Sequence, residues 1–374
     1  MKFAFNEDQE ALRAAARGFL ADHSSPAQVR KVMATEAGYD PDVWRRIGAE
    51  LGWTAITIPE VYGGLGLTYV ELIALLEEMG AALLCAPFFS TICLATNALL
   101  LGGTEEQKQA HLPGIAAGET IATLAVTEPK GRWDAAGIDA VAKRAGGGFV
   151  LNGVKSFVID GHTAHLLVVA ARSGDGISLF LVPADTGGVG RRLLPTMDQT
   201  RKLAEVQLRD VRVPGSALLG NAGEGWPILS KTLDLAAIAL AAEQVGGAQR
   251  CLDMSVQYAK ERVQFGRPIG SFQAIKHKCA DMLVKVESAR SASYYAGWAA
   301  SVDDPELPVL ASLAKAYCSD AHFSCAAESA QIHGGVGFTW EYDVHLYFKR
   351  AKSSEVLLGD PAYHRELVAR RIGL

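Results

Sequence analysis

The chain is 374 residues long and 49% hydrophobic, enough for two or three packed units rather than one core. Its formal charge of −5 leaves no basic excess with which to neutralise phosphates, so a nucleic-acid partner is not expected. Six cysteines, Cys85, Cys93, Cys251, Cys279, Cys318 and Cys325, form no CxxC pair and no grouping with His at metal spacing; they read as small core residues in a reducing compartment, with no metal site.

The start of the chain, MKFAFNEDQEALRAAARGF, turns at once into an amphipathic, charged helix without the apolar core of a signal peptide. No apolar stretch approaches the ~20 residues that span a bilayer, so a cytoplasmic protein is the expectation. From Asn6 to about Gly118 apolar residues recur at three and four residue steps, in EALRAAARGFL, VELIALLEEMGAALL and EEQKQAHLPGIAAG, which predicts helices. PEVYGGLGLTYVE interrupts them, with Thr68 placed to cap a helix beginning near Val70. Between Ile121 and about Gly223 the period falls to two, in FVLNGVKSFVI, HLLVVAAR, ISLFLVPA and LAEVQLRDVRVP. No helix of useful length separates these runs, so they predict a small antiparallel barrel or sandwich, with Asn152-Gly153 as a hairpin turn. From Trp226 the helical period returns. Lys231 to Phe265 predicts one long helix stopped by Gly266 and Pro268, and further helices follow over Phe272–Val302, Leu307–Gln331 and Val344–Lys352. The fold class is α+β, with a helical domain over 1–120, a β domain over 121–225 and a helical domain over 226–374.

Five stretches carry a resemblance: PEVYGGLG from Pro59, TEP at Thr127, LRDVRVP from Leu208, ERVQFGRPIGSFQAIKHKCADM from Glu261, and QIHGGVGFTWEYD from Gln331. In this order, over nearly the whole chain, they resemble the acyl-CoA dehydrogenase family. The resemblance implies a helical N-terminal domain, an antiparallel β middle domain, a C-terminal four-helix bundle, an FAD cofactor, an acyl-CoA substrate and electron transfer to an electron-transfer flavoprotein. Physical chemistry agrees at several positions. Arg262 ends a helix with a forked, permanently charged donor that suits a pyrophosphate. Phe265 offers an apolar face, Gln331 a hydrogen bond, and Gly334 and Gly335 a close backbone approach. By resemblance these residues, with Gln264, Phe272 and Gln273, hold the ADP side of the flavin across a dimer interface.

Elsewhere the chain departs from the family pattern. The family's glutamate base, in a Tyr-Glu-Gly stretch, aligns with Leu358; its alternative place on the long helix aligns with Ala236, with Ala237 where many members have Arg. Neither side chain can accept a proton. The turn after TEP reads KGRWD, so Arg132 and Trp133 stand where the family has small residues beside Thr127. The Trp-Ile-Thr that backs the flavin ring reads Phe157-Val158-Ile159, which removes a hydroxyl. The positions for a neighbour's ADP match the family and those for the chain's own ring and base do not. This split implies the base-lacking subunit of a heterotetramer, like the two-subunit bacterial enzymes that act on steroid side-chain acyl-CoAs. An active homotetramer with a displaced base is the first alternative; Asp360 is its best candidate, ahead of Glu355 and Glu243, although Asp360 before Pro361 also reads as a helix N-cap. A different flavin oxidation, such as that of a nitroalkane, is the second. No GxSxG accompanies His333-Gly-Gly, and no GxGxxG follows a strand, so a hydrolase and a nicotinamide dehydrogenase find no support.

Overall fold

The computed structural model describes residues 5–174 and 176–374; the first residues of the expected N-terminal stretch, 1–4, lie outside them. In chain order the helices are α1 (Glu7–His23), α2 (Pro26–Met33), α3 (Pro41–Arg45), α4 (Tyr69–Ala81), α5 (Asn97–Gly102), α6 (Glu105–Ala116), α7 (Gly225–Glu261), α8 (Gln273–Ser301), α9 (Leu307–His333), α10 (Val344–Val356) and α11 (Pro361–Arg371). The strands are β1 (Ala122–Ala125), β2 (Val141–Ala145), β3 (Gly148–Ile159), β4 (Leu166–Ser173), β5 (Gly176–Pro183), β6 (Val189–Leu193), β7 (Leu203–Pro214), β8 (Leu218–Leu219), β9 (Val263–Gln264) and β10 (Arg267–Pro268). Packing groups the chain into two compact units, one of Met1–Lys31, Tyr69–Leu84 and Ala237–Leu374, the other of Val32–Thr68 and Cys85–Ala236.

In the first unit, Asn6 caps α1 in a capping box with Gln9. Helix α4 is apolar nearly all round and buried from Leu72 to Gly80, as an interior helix must be. Its two internal carboxylates are matched: Glu77 takes Arg13, Arg290 and the Tyr294 hydroxyl, and Glu78 takes Arg17 at 2.8 Å and Arg13 at 3.3 Å. It meets α7 at Gly80 and Gly246, where a Cβ would lie 2.0 Å from the Glu243 carbonyl oxygen and 1.8 Å from that of Glu77; only glycine permits the approach. Helix α7 starts six residues before the expected Lys231, because Pro227 in its first turn needs no N–H partner. It stops at Glu261 rather than Phe265, because Val263–Gln264 pairs with Arg267–Pro268 as a small hairpin.

In the second unit the sheet runs β6-β7-β3-β2-β4-β5-β8, with β1 on β4. It is mixed rather than antiparallel: β1 and β4 are parallel, Ala122 opposite Leu166, and β2 touches β4 in parallel at Val141. The expected turn at Asn152-Gly153 is also corrected. These residues lie inside β3, where the register with β7 slips between Leu151 and Gly153, a bulge in which Gly153 takes φ 154° against Ala140. The β2–β3 hairpin turns instead at Gly146 and Gly147, with φ of 56° and 80°, the positive pair that a two-residue hairpin requires. Among the described residues no helix is long and apolar enough to cross a membrane, no His, Cys, Asp and Glu group is placed to hold a metal, and the six cysteines form no disulfide.

Candidate functional site

The residues expected at the ADP side of a flavin lie together at one end of the α-helical unit. Beyond Glu261, Arg262 leads into the β9–β10 hairpin, whose turn residues Phe265 and Gly266 have φ of 54° and 77°. A phenylalanine in that conformation is unusual, and here it throws the ring outward, 91% exposed, with Phe272 edge-on to it at 6.0 Å. Arg267 covers Phe272 at 4.2 Å, and Gln264 and Gln273 are exposed beside them. The second motif comes to the same end through aromatic packing. Tyr258, one turn before Arg262, stacks on His333 at 4.3 Å, and Tyr342 closes the cluster at 6.0 Å from Tyr258 and 5.9 Å from His333. Burial lowers the His333 pKa, opposed by the Ser329 carbonyl, which accepts its Nδ1–H at 2.8 Å. Gln331 is exposed just before it, and nothing lies within 4 Å of where Gly334 or Gly335 would carry a Cβ. The surface is therefore open for a ligand to approach the backbone. Tyr258, His333 and Tyr342 were not expected here; they come from α7, the end of α9 and the loop before α10, so no local pattern joins them.

At the expected base positions the structure places no free carboxylate. Ala236 is fully buried, and Leu358 is 6% exposed with φ 62°, a left-handed conformation that costs a leucine about 1–2 kcal/mol. Asp360 is the N-cap of α11, accepting from the Tyr363 amide at 2.7 Å. Glu243 pairs with Arg350, both buried, and Glu355 pairs with Lys352 at 3.1 Å. Two further residues hold this turn. Lys315, wholly shielded and pushed down to about 7 by burial, donates to the Glu355 and Gly359 carbonyls at 3.1 and 3.0 Å. His364, pushed down to about 3 by burial, donates from Nε2 to the Leu358 carbonyl at 3.0 Å. Neither stands out in sequence, because an isolated Lys or His on a helix reads as surface.

The expected flavin-ring positions belong to the β unit. Thr127 is buried, its carbonyl accepting from Ser156 N at 2.7 Å, and Ile159 is 3% exposed, its carbonyl accepting from Thr123 Oγ1 at 2.6 Å. Phe157, with φ 56°, is 52% exposed. Trp133 sits half-buried in a loop closed on itself: Arg132 pairs with Asp134, Lys130 with Asp139, and Arg172 donates to the Ala135 and Ile138 carbonyls at 2.9 and 3.1 Å. Beneath them lies an ion pair that sequence reasoning missed. Glu128 accepts from Lys155 Nζ at 2.6 Å and from the Asp139 and Ala140 amides at 2.8 and 2.9 Å. Burial lowers the Lys155 pKa while Glu128 raises it. The signal was Lys155 on the inward face of an alternating strand.

Family models of the N-terminal, middle and C-terminal domains of acyl-CoA dehydrogenase match residues 6–119, 123–211 and 223–373. An acyl-CoA dehydrogenase of Mycolicibacterium smegmatis, IpdE2, is 37% identical over 356 residues, 95% of this chain and 96% of its own length. The chain belongs to the acyl-CoA dehydrogenase family. Among solved structures, butyryl-CoA dehydrogenase from Megasphaera elsdenii matches with a TM-score of 0.94 at 29% identity, over 100% of each chain. The ChsE4–ChsE5 complex from Mycobacterium tuberculosis matches with a TM-score of 0.92 at 27% identity, over 100% of this chain and 99% of that one.

Acyl-CoA dehydrogenases are FAD enzymes that oxidise a CH–CH bond of an acyl-CoA, and this chain fits that cofactor unevenly. The open backbone at Gly334 and Gly335, the exposed Arg262 and the bare Phe265 ring leave room for a ligand such as an ADP moiety. At the positions expected for the isoalloxazine, Ile159 supplies no hydroxyl, and the loop around Trp133 carries the exposed ion pairs Arg132–Asp134 and Lys130–Asp139.

Proposed function

We propose that this chain is the base-lacking subunit of a heteromeric acyl-CoA dehydrogenase, lending Arg262, Gln264, Phe265, Phe272, Gln273, Gln331, Gly334 and Gly335 to the ADP side of a partner subunit's FAD. The observation that carries the reading is the state of the base positions. Leu358 and Ala236 have no ionisable group, and the displaced candidates Asp360, Glu243 and Glu355 are engaged as a helix cap or in ion pairs. An α-proton can leave only to a group that is ionised and within reach, and neither family base position supplies one. The ChsE4–ChsE5 complex, made of two differently named components, supports a heteromeric assembly in this fold.

FAD, when bound, accepts the electrons of the dehydrogenation. This chain's part is to hold its ADP end and shield it from water, while the partner, a second acyl-CoA dehydrogenase chain that does carry a glutamate, takes the acyl-CoA proton. Electrons then pass to an electron-transfer flavoprotein. A cytoplasmic setting, where thiols stay reduced, suits six cysteines that form no disulfide. Purification of the chain alone and with its partner tests the reading: the lone chain is expected to be colourless, and the pair yellow and active on an acyl-CoA. The homotetrameric reading with Asp360 as base would be favoured instead by turnover in the lone chain that is lost in Asp360→Asn.

A further inference from the structure

The turn from Leu357 to Asp360 is held almost entirely by its backbone. Lys315 Nζ has three protons, and three acceptors receive them: Ser319 Oγ at 2.8 Å, the Glu355 carbonyl at 3.1 Å and the Gly359 carbonyl at 3.0 Å. The Leu358 carbonyl, between them in sequence, takes the Nε2–H of His364 at 3.0 Å. That assigns the tautomer of His364, whose Nδ1 must accept from Ser312 Oγ at 3.3 Å, and Ser312 in turn accepts from Arg371 at 2.8 Å. Two of the turn's amides are paired as well, Leu357 with the Ser353 carbonyl and Gly359 with the Val356 carbonyl, and the Asp360 carboxylate accepts from the Tyr363 amide. Leu358 contributes no polar side-chain atom to this network. Its φ of 62° is one that leucine disfavours, so the side chain did not select the conformation. Gly359, at φ 104°, has no room for a Cβ, which would sit 2.3 Å from Tyr363 Cδ1.

We propose that Lys315 and His364 are positioning residues that hold the 357–360 turn by its carbonyls, so that the place of residue 358 is independent of the side chain it carries. This rests on the reading that position 358 is where related enzymes keep their base. It gives that reading a physical route: a carboxylate there can be exchanged for leucine without disturbing the helices on either side, because nothing in the turn depended on it.

Hydrogen–deuterium exchange of the full chain, read on peptides covering 353–364 with α8 as internal reference, tests this without flavin or turnover, so its outcome is separate from that of the subunit reading. Leu358 is buried, so the control keeps its volume: Leu358→Met is expected to leave exchange of the turn within about threefold of the parent, whereas Lys315→Met speeds it at least about tenfold with α8 unchanged. His364→Leu speeds it too, and His364→Gln, which keeps a side-chain N–H, restores most of the protection. Should Lys315→Met not fold, the two His364 variants decide. The proposal is overturned if Leu358→Met opens the turn as much as the His364 or Lys315 variants, if Lys315→Met speeds α8 equally, or if His364→Gln behaves as His364→Leu does.

Discussion

Lys155 and Lys315 are among the largest side chains wholly shielded from solvent, and each shows what a buried cation demands. Lys155 is matched by a full carboxylate, Glu128, which two backbone amides also hold. Removing one partner of such a pair typically costs about 3–5 kcal/mol, and the two removals are not equivalent here. Glu128→Gln strands an ammonium, whereas Lys155→Met leaves Glu128 with its two amide donors, so the first is expected to be the more destabilising in urea unfolding. His364 adds a pH dependence. Its folded pKa of about 3 lies below the ordinary 6.5, so below 6.5 the unfolded chain takes up a proton that the folded chain refuses. Stability from this residue is complete above 6.5 and is lost as pH falls toward 3. Between pH 6.5 and about 4.5 the loss is roughly 2–3 kcal/mol, and His364→Gln should flatten the pH slope of unfolding by that much. Of these residues only Lys155 left a trace in the sequence, on the inward face of an alternating strand. Periodicity sorts residues by polarity, and a charged side chain whose partner comes from a distant segment looks the same as one facing water.

Helices and strands were more legible than their joints. The switch from helical to strand period near Ile121 and back near Trp226 shows because burial imposes 3.6 and 2.0 directly on the apolar positions. Asn152-Gly153 misled because positive φ serves a bulge as well as a hairpin, and only the partner strand distinguishes the two. The Asp360-Pro361 cap was readable, since a capping oxygen and a preset φ are local requirements. Asp360→Ala should therefore cost about 1 kcal/mol and Asp360→Asn almost nothing, measured by thermal unfolding. At the crossing of α4 and α7, Gly246→Ala forces a methyl onto the Glu77 carbonyl. It is expected to destabilise by about 3 kcal/mol or to prevent folding, a result that solubility and unfolding curves check.

At the scale of the whole molecule the proposed function gives the chain a well-built frame with an incomplete site. The residues proposed for the ADP side come as contiguous motifs whose chemistry is local, an arginine at a helix end and a glycine pair. The loss at the ring and base positions showed only as departures from a family pattern. An exposed hairpin carrying a bare Phe265 makes no contribution to its own unit that would explain it, but a neighbouring subunit's cofactor would. Arg262→Ala and Phe265→Ser should accordingly leave the melting temperature of the lone chain unchanged while lowering flavin content in the assembled pair. The most direct measurement is the flavin content and acyl-CoA turnover of the purified chain by itself, compared with the chain co-purified with a glutamate-bearing partner. The account predicts little flavin and no turnover in the lone chain, with both restored in the pair; stoichiometric FAD and turnover in the lone chain would contradict it.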